Sequence, residues 1–160
     1  MWMRCLLAML RGVHNSMVRP SVIGCFEYVS FPLFGVANLF TKVDTGAYSG
    51  AMHCTDIKVV RRGPSKIRVL KFTPFGESPQ ETTDFMSTYV RSATGHRVRR
   101  HVVDTTIRIQ SHNYPIRIGL SDRSDMKSPV LLGRRFLREN NIIVDVRINQ
   151  EYDDEGETTR

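Results

Sequence analysis

The chain has 160 residues, 41% of them apolar, and a formal net charge of +7. That length suits one domain with a core of its own, and no apolar run is long enough to span a bilayer, so no membrane partner is expected. Three cysteines, Cys5, Cys25 and Cys54, have no metal-ligand spacing and leave one unpaired in any disulfide scheme, which points to a reduced, cytoplasmic setting.

Residues 1–20 read as an N-terminal extension. The stretch from Met1 to Arg11 has the look of a signal peptide, but its apolar core is short, closes on Arg11 and lacks a small-residue cleavage site. Met17 would begin a cleaner domain. One domain is expected over 21–150, and the polar, acidic stretch 151–160 reads as a disordered tail. Inside the domain, alternation predicts a strand over 25–30, broken by Phe31-Pro32, and another over 36–43. The segments 57–62 and 66–72 flank Gly63-Pro64-Ser65 as a hairpin. Strand character is weaker over 82–91. The segments 97–110 and 114–120, joined by Ser111-His112-Asn113, form the clearest hairpin. Residues 133–140 have helical spacing with Phe136 and Leu137 inward, and Asn140-Asn141 stops them before a closing strand over 142–146. Many short strands and one late helix argue for an all-β barrel or sandwich.

The chemistry concentrates at Asp44-Thr45-Gly46-Ala47. A carboxylate able to share a proton with a second carboxylate across a water can activate that water. The reading makes Asp44 the acid/base, Thr45 a brace for the loop, and Gly46 the point where the backbone turns sharply toward a substrate. The plain alternative is an Asp-Gly-type turn between strands. Downstream lie two companions. Ser92-Ala93-Thr94-Gly95-His96 is a small-residue turn ahead of an alternating strand, as a flap hairpin requires. Pro129 to Leu137 carries an apolar run, then Gly133 and two arginines.

These features resemble the retropepsin-like proteases, and in particular the bacterial and archaeal family once labelled ATP-dependent zinc proteases, whose members accompany ATP-grasp amino-acid ligases. The resemblance rests on Val22-Ile23-Gly24, Glu27-Tyr28-Val29, Lys42 to Ala47 and Ala51-Met52-His53. It continues through Val90-Arg91-Ser92 with Gly95, Leu120 to Arg123 with Met126, and Leu131-Leu132-Gly133-Arg134, and so covers most of the chain. It implies a retropepsin-like closed β-barrel, the acid-protease fold, with one short C-terminal helix. It also implies a substrate-side loop at Ala47 and Tyr48, a flap turn at Thr94 and Gly95 over the peptide, and structural support from Leu131, Leu132, Gly133 and Arg134. Viral retropepsins carry acidic residues after the catalytic loop that pair with the later arginine; Tyr48 and Ser49 stand there in this chain.

Only one such motif is present, so the chemistry requires two chains: a homodimer with Asp44 of each subunit at the two-fold axis, cleaving peptide or protein substrates without a cofactor. Asp122 is the carboxylate to test if one chain supplied both groups. His53-Cys54, His96, His101 and His112 show no zinc-binding spacing, and no metal is expected. The basic cluster of Arg91, Arg97, Arg99, Arg100 and His101 supports a different class, a non-catalytic β-barrel that binds an acidic partner or nucleic acid. It lacks interleaved aromatics, so a solvated strand face is the favoured reading and nucleic acid the disfavoured partner. Beside a flap, the same charges would favour acidic peptides.

Overall fold

The structure, a computed structural model, describes residues 19–91 and 95–151. The expected extension up to residue 18, the turn residue Thr94 and the tail beyond Glu151 lie outside the described residues. Strands dominate, with one short helix. In chain order they are β1 (Ser21–Ile23), β2 (Phe26–Phe31), β3 (Val36–Asp44), β4 (Gly50–Arg62), β5 (Ile67–Pro74) and β6 (Gln80–Thr82). The second half holds β7 (Met86–Arg91), β8 (Arg97–Ile109), β9 (His112–Ser121), β10 (Val130–Gly133), the helix α1 (Arg134–Glu139) and β11 (Ile142–Val144). A 3-10 turn, Pro32–Phe34, follows β2 where proline removes a ladder donor, and Gly35 ends it at φ +69°.

A nine-stranded sheet carries the domain. Its hydrogen-bonded order runs β10-β3-β2-β8-β9-β4-β5-β6, with β7 paired to β8. The strand β10 also pairs with β4, so it has a parallel neighbour on one side and an antiparallel one on the other. The register sets Gly133 beside Asp44 and Leu131 beside both Lys42 and Ala51. A separate parallel pair, β1 with β11, ties the start of the domain to the residues after the helix.

The core follows the period-two pattern of the strands. Val103, Ile107 and Ile109 of β8 and Ile116, Ile118 and Leu120 of β9 are buried, and they pack with Met52, Leu70, Val130, Leu132 and Phe136. Ile118 and Leu132 are fully enclosed, and each such side chain contributes about 1.5–3 kcal/mol through burial. The long strand β4 serves two partners. Its first residues, Gly50 to His53, pair with β9 and in part with β10; from Cys54 onward it pairs with β5, with a register shift between Thr55 and Lys58. At that bulge Asp56 adopts φ 52°, and its carboxylate accepts hydrogen bonds from the Thr55 and Thr73 hydroxyls.

The helix and both expected hairpins are present with shifted edges. The turn between β8 and β9 is Gln110-Ser111, one step before the expected Ser111 to Asn113, because Gln110 takes the left-handed conformation at φ 54° and lets pairing restart at His112.

Candidate active site

The loop after β3 is held from two directions. From within, Asp44 Oδ1 accepts hydrogen bonds from the backbone N–H of Gly46 at 2.9 Å and of Ala47 at 3.1 Å. This fixes the carboxylate in its rotamer and leaves Oδ2 outside those bonds. From below, the start of α1 reaches the loop carbonyls. Arg134 N–H donates to Ala47 O at 2.9 Å, Arg135 N–H to Tyr48 O at 3.0 Å, and Arg134 Nη1 to Gly46 O at 2.9 Å. The first N–H groups of a helix have no intrahelical acceptor, and here two of them are spent on the loop. Three successive carbonyls are thereby fixed.

Glycine at 133 makes this approach possible. A Cβ there would lie 2.7 Å from Ser49 C and 2.8 Å from Tyr48 O, inside the contact distance of real side chains. Leu132 is fully buried beneath the loop, and Leu131 is half-buried between its two neighbouring strands. Arg134 meets no carboxylate among the described residues. Its guanidinium instead bonds the Gly46 carbonyl and lies 5.7 Å from the centre of the exposed Tyr48 ring. Thr45 is exposed, and its hydroxyl makes no hydrogen bond among the described residues.

A cleft of about 400 Å³ opens beside the loop, between Tyr48, Ser49 and Gly50 on one side and Met86, Thr88 and Arg100 of the β7–β8 hairpin on the other. Arg117 and Arg135 line it as well. Arg117 grips Asp104 through two bonds of 2.7 and 2.9 Å, and this hydrogen-bonded guanidinium holds the Asp104 carboxyl below its ordinary range. Arg135 pairs with Glu139 at 2.9 Å. Arg100 has no ion pair among the described residues, and partial burial pulls its pKa below the usual arginine value. Its side chain crosses Gly119, where a Cβ would come 2.5 Å from Arg100 Cδ. The cleft therefore holds two compensated cations and one uncompensated one.

Of the sequence-derived residues, the structure brings Asp44, Gly46, Ala47 and Tyr48 together with Gly133 and Arg134. Gly95 sits at φ +83° at the distal end of the β7–β8 hairpin. Asp122 is remote from the loop: it follows Ser121, which pairs with His53, three strand residues or about 10 Å along β4 from Gly50. Its carboxylate bonds the Ser124 hydroxyl at 2.6 Å. Among the described residues no group of three or more His, Cys, Asp or Glu side chains gathers that could hold a metal ion.

Sequence reading overlooked Ser128. Its buried hydroxyl accepts a bond from Lys42 N–H at 3.0 Å and lies 2.8 Å from Phe40 O and 2.6 Å from Val130 O, one of which takes its proton. It stitches β3 to β10 just before the site. A lone serine ahead of a proline offers no signal of that role.

An Asp-Thr-Gly loop at the end of a β-strand, propped by an apolar strand, a glycine and a helix-borne arginine, defines a retropepsin-like domain. The chain belongs to the RimB-like family, described as retropepsin-like aspartic endopeptidase RimB, whose sequence model matches residues 22–153. Curated relatives include proteins named probable alpha-L-glutamate ligase. The one from Shewanella halifaxensis is 26% identical over 127 residues, or 76% of this chain, and the one from Desulfotalea psychrophila is 23% identical over 131 residues, or 79%. The chain spans only 28% of the length of each. Among solved structures, the Legionella pneumophila protein Lpg0085, a DUF785 protein described as of unknown function, superposes with a TM-score of 0.61 at 25% identity. That match covers 80% of this chain and 95% of the other. No helix among the described residues is long and apolar enough to cross a membrane.

Proposed function

We propose that this protein is an aspartic endopeptidase in which Asp44 from each of two identical subunits activates one water between them. One carboxylate takes the water's proton as the other donates to the scissile carbonyl, which requires the pair to share a single proton. The observation that carries the reading is the Asp44 loop itself, with Oδ1 fixed by two backbone donors and Oδ2 left for water and substrate. A single loop per chain makes the homodimer part of the same proposal. In it Thr45, exposed and unbonded among the described residues, would find its partner across the two-fold axis and so brace the loop between chains.

The sheet is read as a closed barrel, since β10 pairs with both β3 and β4 and the strands between them pair in succession. The flap is the β7–β8 hairpin, with Gly95 at its turn, and Ala47 and Tyr48 face the substrate. Arg100, the uncompensated cation of the cleft, favours peptides with acidic side chains, and the ligase names of the relatives support glutamate-rich chains in particular. Peptide hydrolysis by this route needs no cofactor. The buried thiol of Cys54, outside any disulfide among the described residues, supports a cytoplasmic setting.

The test is Asp44→Asn, nearly isosteric. Hydrolysis of a glutamate-rich reporter peptide should fall about 1,000-fold with sedimentation unchanged. Undiminished hydrolysis in the variant would sink the aspartic mechanism, and absence of hydrolysis by the wild type would leave the fold as a non-catalytic binding module.

A further inference from the structure

Sequence alone shows arginines at 97 and 99 without aromatic neighbours. Folding supplies the aromatics from the adjacent strand. Register pairs Tyr89 with Arg99 and Arg91 with Arg97, and Arg97 lays its guanidinium 5.5 Å from the centre of the Tyr89 ring. Ser87 Oγ bonds His101 Nδ1 at 2.9 Å, and Phe85 meets the His101 ring edge-on at 5.7 Å. On the far side of Phe85 stands Arg68, 4.9 Å from that ring's centre, with Arg61 as its cross-strand neighbour. Alternation turns these side chains to the face of the hairpin opposite Thr88 and Arg100, while Ser87 and Tyr89 also border the cleft that those two line. Arg68, Arg97 and Arg99 are exposed and form no ion pair among the described residues, and Tyr89 is 62% exposed.

We propose that this outer face of the β7–β8 hairpin, continued onto Arg68 and Arg61, binds single-stranded RNA. Guanidinium groups track phosphates, and rings interleaved with them stack on bases. The Ser87–His101 pair between the arginines supplies donor and acceptor atoms of the kind a ribose 2′-hydroxyl meets. An acidic protein would need the charges but would leave the exposed tyrosine without a task, so RNA is the partner that uses the whole surface. The surface shares a wall of the cleft through Ser87 and Tyr89 but uses no residue of the Asp44 loop.

The probe is a fluorescein-labelled twelve-residue oligouridine, followed by anisotropy at two salt concentrations with the full chain. Tyr89→Ala should weaken binding about ten-fold while Tyr89→Phe binds like the wild type. Replacing Arg97 and Arg99 together by alanine should flatten the slope of log affinity against log salt by about 1.4, two phosphate contacts at about 0.7 each. Asp44→Asn should bind unchanged, so failure here is separate from failure of the protease reading. Circular dichroism and melting confirm that each variant is folded. Absence of binding, equal loss in Tyr89→Ala and Tyr89→Phe, displacement of RNA by an equal charge of polyglutamate, or equal affinity for the matching DNA overturns the proposal.

Discussion

At Gly133 the backbone is ordinary, with φ −92° and ψ 168°, and the neighbours leave no room: a Cβ would press on the backbone of Tyr48 and Ser49. At Gly95 no atom of the described residues beyond its chain neighbours lies within 4 Å of a would-be Cβ, and the backbone makes the demand, with φ +83°. The first glycine belongs to a region locked by tertiary contact, where β3, β10 and α1 converge on one loop. The second belongs to a hairpin in which the distal described residues of β7 and β8, Val90 with Val98 and Arg91 with Arg97, pair with each other. The contrast teaches that the site is assembled from a part positioned by the whole domain and a part shaped by local conformation.

Breaking the locked region should have the larger effect. Gly133→Ala forces backbone against backbone, which no rotamer change relieves, so stability should drop by about 2–3 kcal/mol in chemical denaturation. Peptidase activity should fall about 100-fold as the Asp44 loop shifts. A stability change below about 0.5 kcal/mol would erase the distinction. The hairpin answers to a different rule. Gly95→Ala should cost about 1–2 kcal/mol through left-handed strain alone, and Gly95→Asn less, because asparagine tolerates that conformation. Equal costs for the two substitutions would show that space, not backbone, governs the turn.

The smallest effect concerns the ion pair at the base of the hairpin. The Asp104 carboxyl is held below its ordinary value of 3.8 by Arg117. A depressed pKa in the folded state means stability that is fully present above 3.8 and lost as pH falls through the folded value. The pair is largely exposed, so its contribution is under about 1 kcal/mol. Melting curves of the wild type and Asp104→Asn should differ slightly at neutral pH and converge as pH drops below 3.8. A gap that widens in acid would contradict the sign.

Much of this arrangement is legible in the sequence where a single segment carries its own signal. The alternation over 97–110 announced β8, Gly63-Pro64-Ser65 announced its hairpin, and Phe136-Leu137 between Gly133 and Asn140 announced α1. The Asp44 loop and the glycine that receives it could be read from residue types and order. What could not be read depends on pairing. The start of β4, Gly50 to His53, has small and irregular residues in place of an alternating pattern, because it lies between β9 on one side and β10 on the other. The strands β1 and β11 are three residues each, too short for a period, and exist through each other. Tyr89 sits among the arginines only by cross-strand register, and Arg100 becomes a cleft residue only because Gly119 leaves it a path.

The strand β10 carries a further consequence, for the order of events during synthesis. Its partners β3 and β4 emerge from the ribosome early, while Val130 to Gly133 emerge late. Closing so long a stretch of chain is entropically costly, and contacts of this separation form slowly. Until those four residues arrive, the Asp44 loop has neither its strand neighbour nor the helix donors that hold its carbonyls. A nascent chain halted before Val130 would thus carry the carboxylate without the scaffold that orients it.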